Sequence, residues 1–280
     1  MNMYRESGPG LHMKWLQDNY LDQPYEVSLE TYTQCNAACS FCPYPTLESI
    51  GNRMPESLIY RLIDEMADWK PFLFSPFKVS EPLLDKRLFT ILERVNTNKS
   101  ANIRIFTNGS ALNWDNMEKL SWVNNLELWI SVNSHQKTVY ESLMGLSFDR
   151  LVKNLDLLHG SDFPHPVKVL QVGPVPQFKD YCENRWPRFD CVLVKKDSWL
   201  GYTEADNLEI PDSPCARWFE LSIMSNGIAS LCCMDSEGKY AIGDIKNQSM
   251  LAVYNSYNWR QRREDMISRK EIYPCSTCSY

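Results

Sequence analysis

Cys35, Cys39 and Cys42 place three thiols within eight residues. Three is an odd number for disulfides and one short of a tetrahedral zinc site. Spaced C-x3-C-x2-C on one loop, they can bind three irons of a [4Fe–4S] cube, which normally takes four cysteines, and leave the fourth iron for another ligand. A closed zinc site with a distant fourth ligand fits the same spacing, as do buried unliganded thiols. A second set follows near the end of the chain: Cys215, Cys232 behind the turn Asn226-Gly227, and the pair Cys275-x2-Cys278. Four thiols divided between a hairpin and a terminal C-x2-C turn can close either a zinc or an iron–sulfur site. Cys233 is the alternative to Cys232, because adjacent strand residues point to opposite sides and both cannot easily reach one centre. Cys182 and Cys191 read as buried or idle thiols. The four histidines, His12, His135, His159 and His165, show no metal-ligand spacing, so any metal chemistry here is thiolate chemistry.

These groups need elements to hold them. Residues 27–33 read as a strand ahead of the first cysteine loop, and further strands are expected over 72–80, 103–107, 126–132, 167–172 and 191–195. Helical spacing occupies 55–67, 85–95, 114–122, 151–158 and, weakly, 177–186. Alternating strands and helices predict an α/β fold with a parallel sheet and right-handed crossovers. Six units are too few for a closed eight-stranded barrel, so the expected shape is a partial (β/α)6 TIM-like barrel. In such sheets ligands bind at the C-terminal strand ends. The cysteine loop, Glu81, Thr107-Asn108-Gly109 and the segment from Ser131 to Asn133 all fall at those ends, on one rim. Beyond residue 200 the rhythm changes to a hairpin at Asn226-Gly227 and a helix over 255–267, a small C-terminal α+β module. Its roughly 75 residues are near the lower limit for a self-sufficient core, where a metal centre commonly assists. The expected division is an N-terminal extension over 1–26, the barrel over 27–200 and the module over 201–280.

The composition sets outer bounds. In 280 residues, 44% hydrophobic and 23% charged, a packed core is expected. A net charge of −6 with no long basic run disfavours a nucleic-acid partner. No stretch approaches the ~20 apolar residues that span a bilayer, and the N-terminus lacks the pattern of a secretory signal. A cytoplasmic protein is expected, and in that reducing compartment ten cysteines argue for metal binding over disulfides.

Cys35-x3-Cys39-x2-Cys42, with Phe41 before the last cysteine, resembles the signature of the radical S-adenosylmethionine (SAM) superfamily. The resemblance extends over about residues 27–196. It implies that the open iron chelates the amino and carboxylate groups of SAM, whose reductive cleavage gives a 5′-deoxyadenosyl radical that removes hydrogen from a substrate. Val79-Ser80-Glu81-Pro82-Leu83 falls where the family carries Gly-Gly-Glu-Pro, the segment that meets the SAM amino group. Both glycines are replaced, while Glu81 and Pro82 match. Phe106-Thr107-Asn108-Gly109 resembles the third-strand end, and Ser131 and Asn133 occupy the fourth, where the family contacts SAM ribose and carboxylate. Phe41, Ser80, Glu81, Thr107, Asn108, Ser131 and Asn133 are thus the SAM-binding set that the resemblance implies.

The closing cysteines, with Ile242-Gly243-Asp244-Ile245 and Trp259 between them, resemble the SPASM/Twitch auxiliary-cluster modules. A full SPASM domain uses seven cysteines for two clusters; the tail has five, so the one-cluster Twitch form fits better. Two [4Fe–4S] clusters and SAM are therefore the expected cofactors. The tail is most similar in spacing to the aminocyclitol (2-deoxy-scyllo-inosamine) dehydrogenase type, which implies two-electron oxidation of a small substrate with the second cluster as electron acceptor. That chemistry needs a proton acceptor on the rim, for which Lys195, Asp197 and Tyr202 are candidates. It also needs an external electron donor such as flavodoxin or ferredoxin. Trp186, Trp199 and Trp218 fit either a sugar pocket or the core. A peptide-modifying maturase, an epimerase or crosslink-forming enzyme, is the alternative, although about 26 residues ahead of the first strand are too few for a separate leader-binding domain. A non-catalytic zinc or iron–sulfur binding module is the remaining reading.

Overall fold

The computed structural model describes residues 9–204 and 209–279. Strands β1 (Glu26–Leu29), β2 (Leu73–Ser75), β3 (Asn102–Thr107), β4 (Leu126–Ser131), β5 (Val167–Val172) and β6 (Asp190–Val194) pair in parallel, in chain order. Between them run α2 (Glu56–Trp69), α3 (Leu88–Asn98), α4 (Trp114–Ser121), α5 (Lys137–Met144), α6 (Phe148–Gly160) and α7 (Phe178–Arg185). This is the partial (β/α)6 barrel. β2 stops at Ser75 because Pro76 has no N–H to continue the ladder.

The strands bury one face and open the other. In β3 and β4 every second residue is buried, among them Ile103, Ile105, Leu128 and Ile130, while Arg104, Phe106, Glu127, Trp129 and Ser131 are half-buried. The buried set meets the helices: a side chain at Gly109 would collide with Leu151 of α6 at 2.7 Å and with Ile130 at 3.1 Å. Gly109 also has φ +73°, which an L side chain resists, so the turn after β3 depends on glycine. The half-buried set lines the concave side. There Phe106 stacks on Trp129 at 5.0 Å, and Arg104 reaches Glu26 at 3.5 Å and Glu127 at 3.2 Å.

The C-terminal segment continues this sheet. β7 (Glu220–Ile223) pairs in parallel with β1, and β8 (Ile228–Ser230) and β9 (Ala241–Asp244) follow in antiparallel order. The hairpin turns at Asn226-Gly227, where Gly227 has φ +86°. Then come α8 (Met250–Tyr254) and α9 (Tyr257–Asp265). Besides β9 and α8, two elements lie outside the sequence expectations. One is α1 (Pro9–Tyr20), which buries Met13 and Leu16 and reaches the Arg263 carbonyl of α9 through Gln17 at 3.0 Å. The other is α5. No helix among the described residues is long and apolar enough to cross a membrane.

Candidate active site

The loop after β1 carries Cys35, Cys39 and Cys42, and three supports fix it. Glu81 N–H donates to the Gln34 carbonyl at 2.9 Å. Ala38 N–H and Ser40 N–H donate to the Met144 and Leu143 carbonyls of α5, at 2.9 and 3.0 Å. Asn108 Nδ2 donates to Asn36 Oδ1 at 2.9 Å and lies 3.9 Å from Cys35 Sγ. The loop therefore touches the ends of β2 and β3 and the C-terminus of α5.

Burial pushes the Cys35 thiol up to about 12, with Glu81 and Cys42 adding to the shift. Cys39 is raised by burial and then by both other thiols, and burial takes Cys42 to about 11. Three mutually sensing thiols that resist ionisation need a cationic centre to hold them as thiolates. The donor set fits a cluster. Among the described residues no three His, Cys, Asp or Glu side chains converge as one metal ion requires; a cube, which gives each thiolate its own iron, does not require it.

Around the thiols, three of the expected SAM residues, Glu81, Thr107 and Asn108, hold one another. Glu81 is 3% exposed and accepts from Thr107 Oγ1 and Asn108 N–H, both at 2.7 Å, and from Leu83 N–H at 3.2 Å. Burial raises its carboxyl to about 7 against those hydrogen bonds. It thus ties the end of β2 to the end of β3. Ser80 Oγ donates to Glu30, whose other oxygen accepts from Val79 N–H at 2.7 Å. Asn133, fully buried with φ +63°, donates to Met144 Sδ at 3.1 Å and accepts from Val172 N–H at 2.9 Å. Cys39 Sγ lies 3.4 Å from the same Met144 sulfur. Asn133 therefore fixes the helix end on which the cysteine loop rests. Phe41 packs half-buried against the main core, and Ser131 ends β4 half-buried on the concave side.

Sequence reasoning missed Glu30 and α5. Glu30 is buried at the end of β1, its carboxyl raised by burial, and it reads in the sequence as one more strand residue. The signal for α5 was available: Tyr140 and Met144 stand four apart, and Gly145 follows as a C-cap with φ +67°.

The second thiol set converges as well. Cys215, Cys232, Cys275 and Cys278 line one small cavity together with Arg217, Arg269, Trp218, Leu200, Leu231 and Met234. Burial raises Cys215 to about 12, while Arg269 and Arg217 oppose the rise. Cys232 is raised well above the usual thiol range by burial and then by the neighbouring thiols Cys233, Cys215 and Cys278. Two guanidiniums beside four thiols offset the negative charge of a thiolate-ligated cluster, so these residues fit one. Cys233 does not line the cavity. Its thiol, raised by burial to about 11, senses Arg217, Glu220, Glu26 and Lys78.

The proton-acceptor candidates do not gather at the first thiol set. Lys195 is exposed. Asp197 is buried, accepting from Trp199 N–H at 2.9 Å and from Ser279 Oγ at 3.1 Å, beside the second set. Tyr202 donates to Asp235 Oδ1 at 3.3 Å, and burial and that carboxylate raise its phenol to about 12. Of the tryptophans, Trp186 is fully buried in the main core with Nε1 donating to Asp156 at 2.9 Å, and Trp218 lies at the second cavity. Trp199 packs with Tyr44, Leu47 and Val79 in the small cluster that also holds Cys35 and Cys42.

Comparison with known proteins agrees with this geometry. Residues 29–178 match the radical SAM superfamily, and residues 215–279 match the SPASM iron-sulfur cluster-binding domain. No curated protein sequence matches the chain. Among solved structures, SuiB of Streptococcus suis bound to its precursor peptide SuiA is similar at 16% identity and a TM-score of 0.73, covering 96% of this chain and 72% of SuiB. BtrN in complex with AdoMet and 2-DOIA is similar at 16% identity and a TM-score of 0.66, covering 91% of this chain and 93% of BtrN. Native anSMEcpe with bound AdoMet is similar at 13% identity and a TM-score of 0.62, covering 86% and 82%. Its cofactors are accordingly [4Fe–4S] clusters and SAM. Matched over more than half of its length and carrying the three-thiol loop on the first strand of a partial barrel, the chain belongs to the radical SAM superfamily.

Proposed function

We propose that this enzyme oxidises a small hydroxylated ring by two electrons. In this reading Cys35, Cys39 and Cys42 hold the SAM-binding cluster, and Cys215, Cys232, Cys275 and Cys278 hold the auxiliary one. With SAM bound, the first cluster supplies the 5′-deoxyadenosyl radical that takes a hydrogen atom. Glu81, Thr107, Asn108, Ser131 and Asn133 shape the rim where SAM lies, with the Glu81 carboxyl sensed by Cys35 and Cys39. The division into an extension (1–26), a barrel (27–200) and a cluster module (201–280) belongs to the same proposal, as does an external electron donor such as flavodoxin or ferredoxin.

The observation that carries the substrate class is the lining of the concave face. Ser75, Ser28 and Ser222 stand side by side on β2, β1 and β7. Ser222 Oγ is buried with no hydrogen-bond partner, which is costly unless a ligand hydroxyl meets it. Further along the same face, Phe106 on β3 stacks on Trp129 on β4, beside the ion pairs of Arg104 with Glu26 and Glu127 and of Lys168 with Glu127. An apolar wall beside polar groups suits a polyhydroxylated ring. Asp197 hydrogen-bonds Ser279, next to Cys278, and Tyr202 hydrogen-bonds Asp235, so among the proton-acceptor candidates Lys195, Asp197 and Tyr202 these two serve a substrate that extends toward the second cavity.

One feature favours a peptide. β6, paired with β5 on one side only, is one edge of the sheet, and its Leu193 is 63% exposed; an extended chain can join such an edge. The deciding experiment incubates reconstituted enzyme with SAM, reductant and a panel of aminocyclitols and polyols. Equal yields of 5′-deoxyadenosine and ketone support the proposal, with Ser222→Ala lowering kcat/KM about tenfold. A product at the substrate's own oxidation state, or turnover with peptides alone, contradicts it.

A further inference from the structure

Lys78, in the loop after β2, is 7% exposed. Its Nζ lies 2.8 Å from Ser230 Oγ and 2.9 Å from Met224 Sδ, and it also meets the Asp235 backbone carbonyl. A carbonyl and a thioether can only accept. The single Ser230 proton is directed at the Cys232 carbonyl, 3.1 Å away, or the Ser222 carbonyl, 3.3 Å away, so toward Lys78 this hydroxyl accepts too. Three acceptors require three N–H donors, and only the ammonium form has them. The hydrogen-bond geometry itself therefore makes Lys78 a buried cation. Burial works against that charge, and Asp235, Cys232, Cys233 and Glu30 work for it.

This cation stands between the two thiol sets. On one side, Glu30 receives Val79 N–H and Ser80 Oγ and is sensed by Cys42. On the other, the Ser230 hydroxyl bridges Lys78 to the backbone of Cys232, which lines the second cavity. Arg217 and Arg269 line that cavity directly, whereas Lys78 approaches it from the barrel, where substrate would lie.

We infer that Lys78 is a fixed charge that raises the reduction potential of the cluster held by Cys215, Cys232, Cys275 and Cys278. Adding an electron makes a thiolate-ligated cluster more negative, and a desolvated cation nearby stabilises that state. A higher potential makes the site a better one-electron acceptor from the barrel side. The inference rests on those four cysteines being iron–sulfur ligands, and it is independent of the substrate.

The test is an EPR-monitored redox titration of the reconstituted full-length protein without SAM or substrate, with iron counted per chain. Lys78→Met is expected to shift the auxiliary midpoint downward by about tenfold in the reduction equilibrium, ~59 mV for one electron. The SAM-site midpoint should move less, and Lys78→Arg should stay near wild type. Asp235→Asn, which removes the opposing charge, is expected to shift the auxiliary midpoint upward. A purely structural role produces no such reversal of sign. Unchanged midpoints in both Lys78→Met and Asp235→Asn, with iron content intact, overturn the inference. If Lys78→Met does not retain iron, Asp235→Asn decides alone, and no shift or a downward one is a refutation. A wild type with a single cluster signal and zinc in the tail removes the auxiliary-ligand reading, and this inference with it.

Discussion

Cys232 and Cys233 are adjacent, yet only Cys232 lines the cavity with Cys215, Cys275 and Cys278, while the Cys233 thiol senses Arg217, Glu220, Glu26 and Lys78. β8 ends at Ser230 and the chain turns at these two residues, with Asp235 N–H donating to the Cys232 carbonyl at 3.2 Å, so a turn and not a strand pleat separates them. Cys232→Ala is therefore expected to lose the iron of one cluster, whereas Cys233→Ala retains the full complement. Iron analysis and EPR of the two variants check this directly, and equal iron loss in both would argue against the assignment.

The thiol loop on β1 makes a separate prediction. Cys39 is the thiol set against Met144 on α5, with Cys35 and Cys42 as its electrostatic neighbours. Cys39→Ala should abolish 5′-deoxyadenosine formation. Cys275→Ala combined with Cys278→Ala should leave some uncoupled SAM cleavage and no product. Chromatographic ratios of 5′-deoxyadenosine to product separate these cases, and full turnover in the double variant would remove the relay role.

Gly109→Ala tests the packing behind the rim. The new methyl meets Leu151 at 2.7 Å and must adopt φ +73°. A loss of about 1–3 kcal/mol is expected, read as a lower Tm in the cluster-free protein. Weakened SAM binding should accompany it, because Asn108 precedes this glycine and holds Asn36 of the cysteine loop.

Glu81 gives the apoprotein a pH signature. Burial raises its carboxyl from 4.5 to about 7. The folded chain then holds that proton more tightly than the unfolded chain. Its contribution to stability is complete below about pH 4.5 and is lost as pH climbs through 7, on the order of 3 kcal/mol at most. Glu81→Gln should flatten this part of the stability profile, measured by denaturant titration between pH 4.5 and 8. An unchanged slope would mean that Glu81 is ionised throughout.

Much of this arrangement was legible in the residues, for physical reasons. β5 spans Val167–Val172 as its alternation indicated, and Asn226-Gly227 turns a hairpin because that dipeptide accepts a positive φ. The C-x3-C-x2-C loop could be read because one short segment contains all its ligands. What could not be read depends on contacts distant in sequence. The pairing of β7 with β1, which makes one sheet of barrel and tail, joins residues nearly 200 positions apart. The choice between Cys232 and Cys233 depends on how the chain turns after β8, not on the strand pleat that the sequence suggested. Lys78 looks like an ordinary loop lysine until Met224, Ser230 and Asp235 are folded around it. Glu30 and Ser80 each look like solitary polar residues, and only the fold makes them a pair.

The central claim is that both thiol sets hold clusters and that the second serves oxidation. Iron and zinc per chain, measured after anaerobic purification and reconstitution, test it most directly. About eight irons and no zinc is the predicted result, two cubes in one chain. About four irons with one zinc would contradict it: the radical SAM core would remain, the tail would be a structural staple, and oxidation through a second cluster would be excluded.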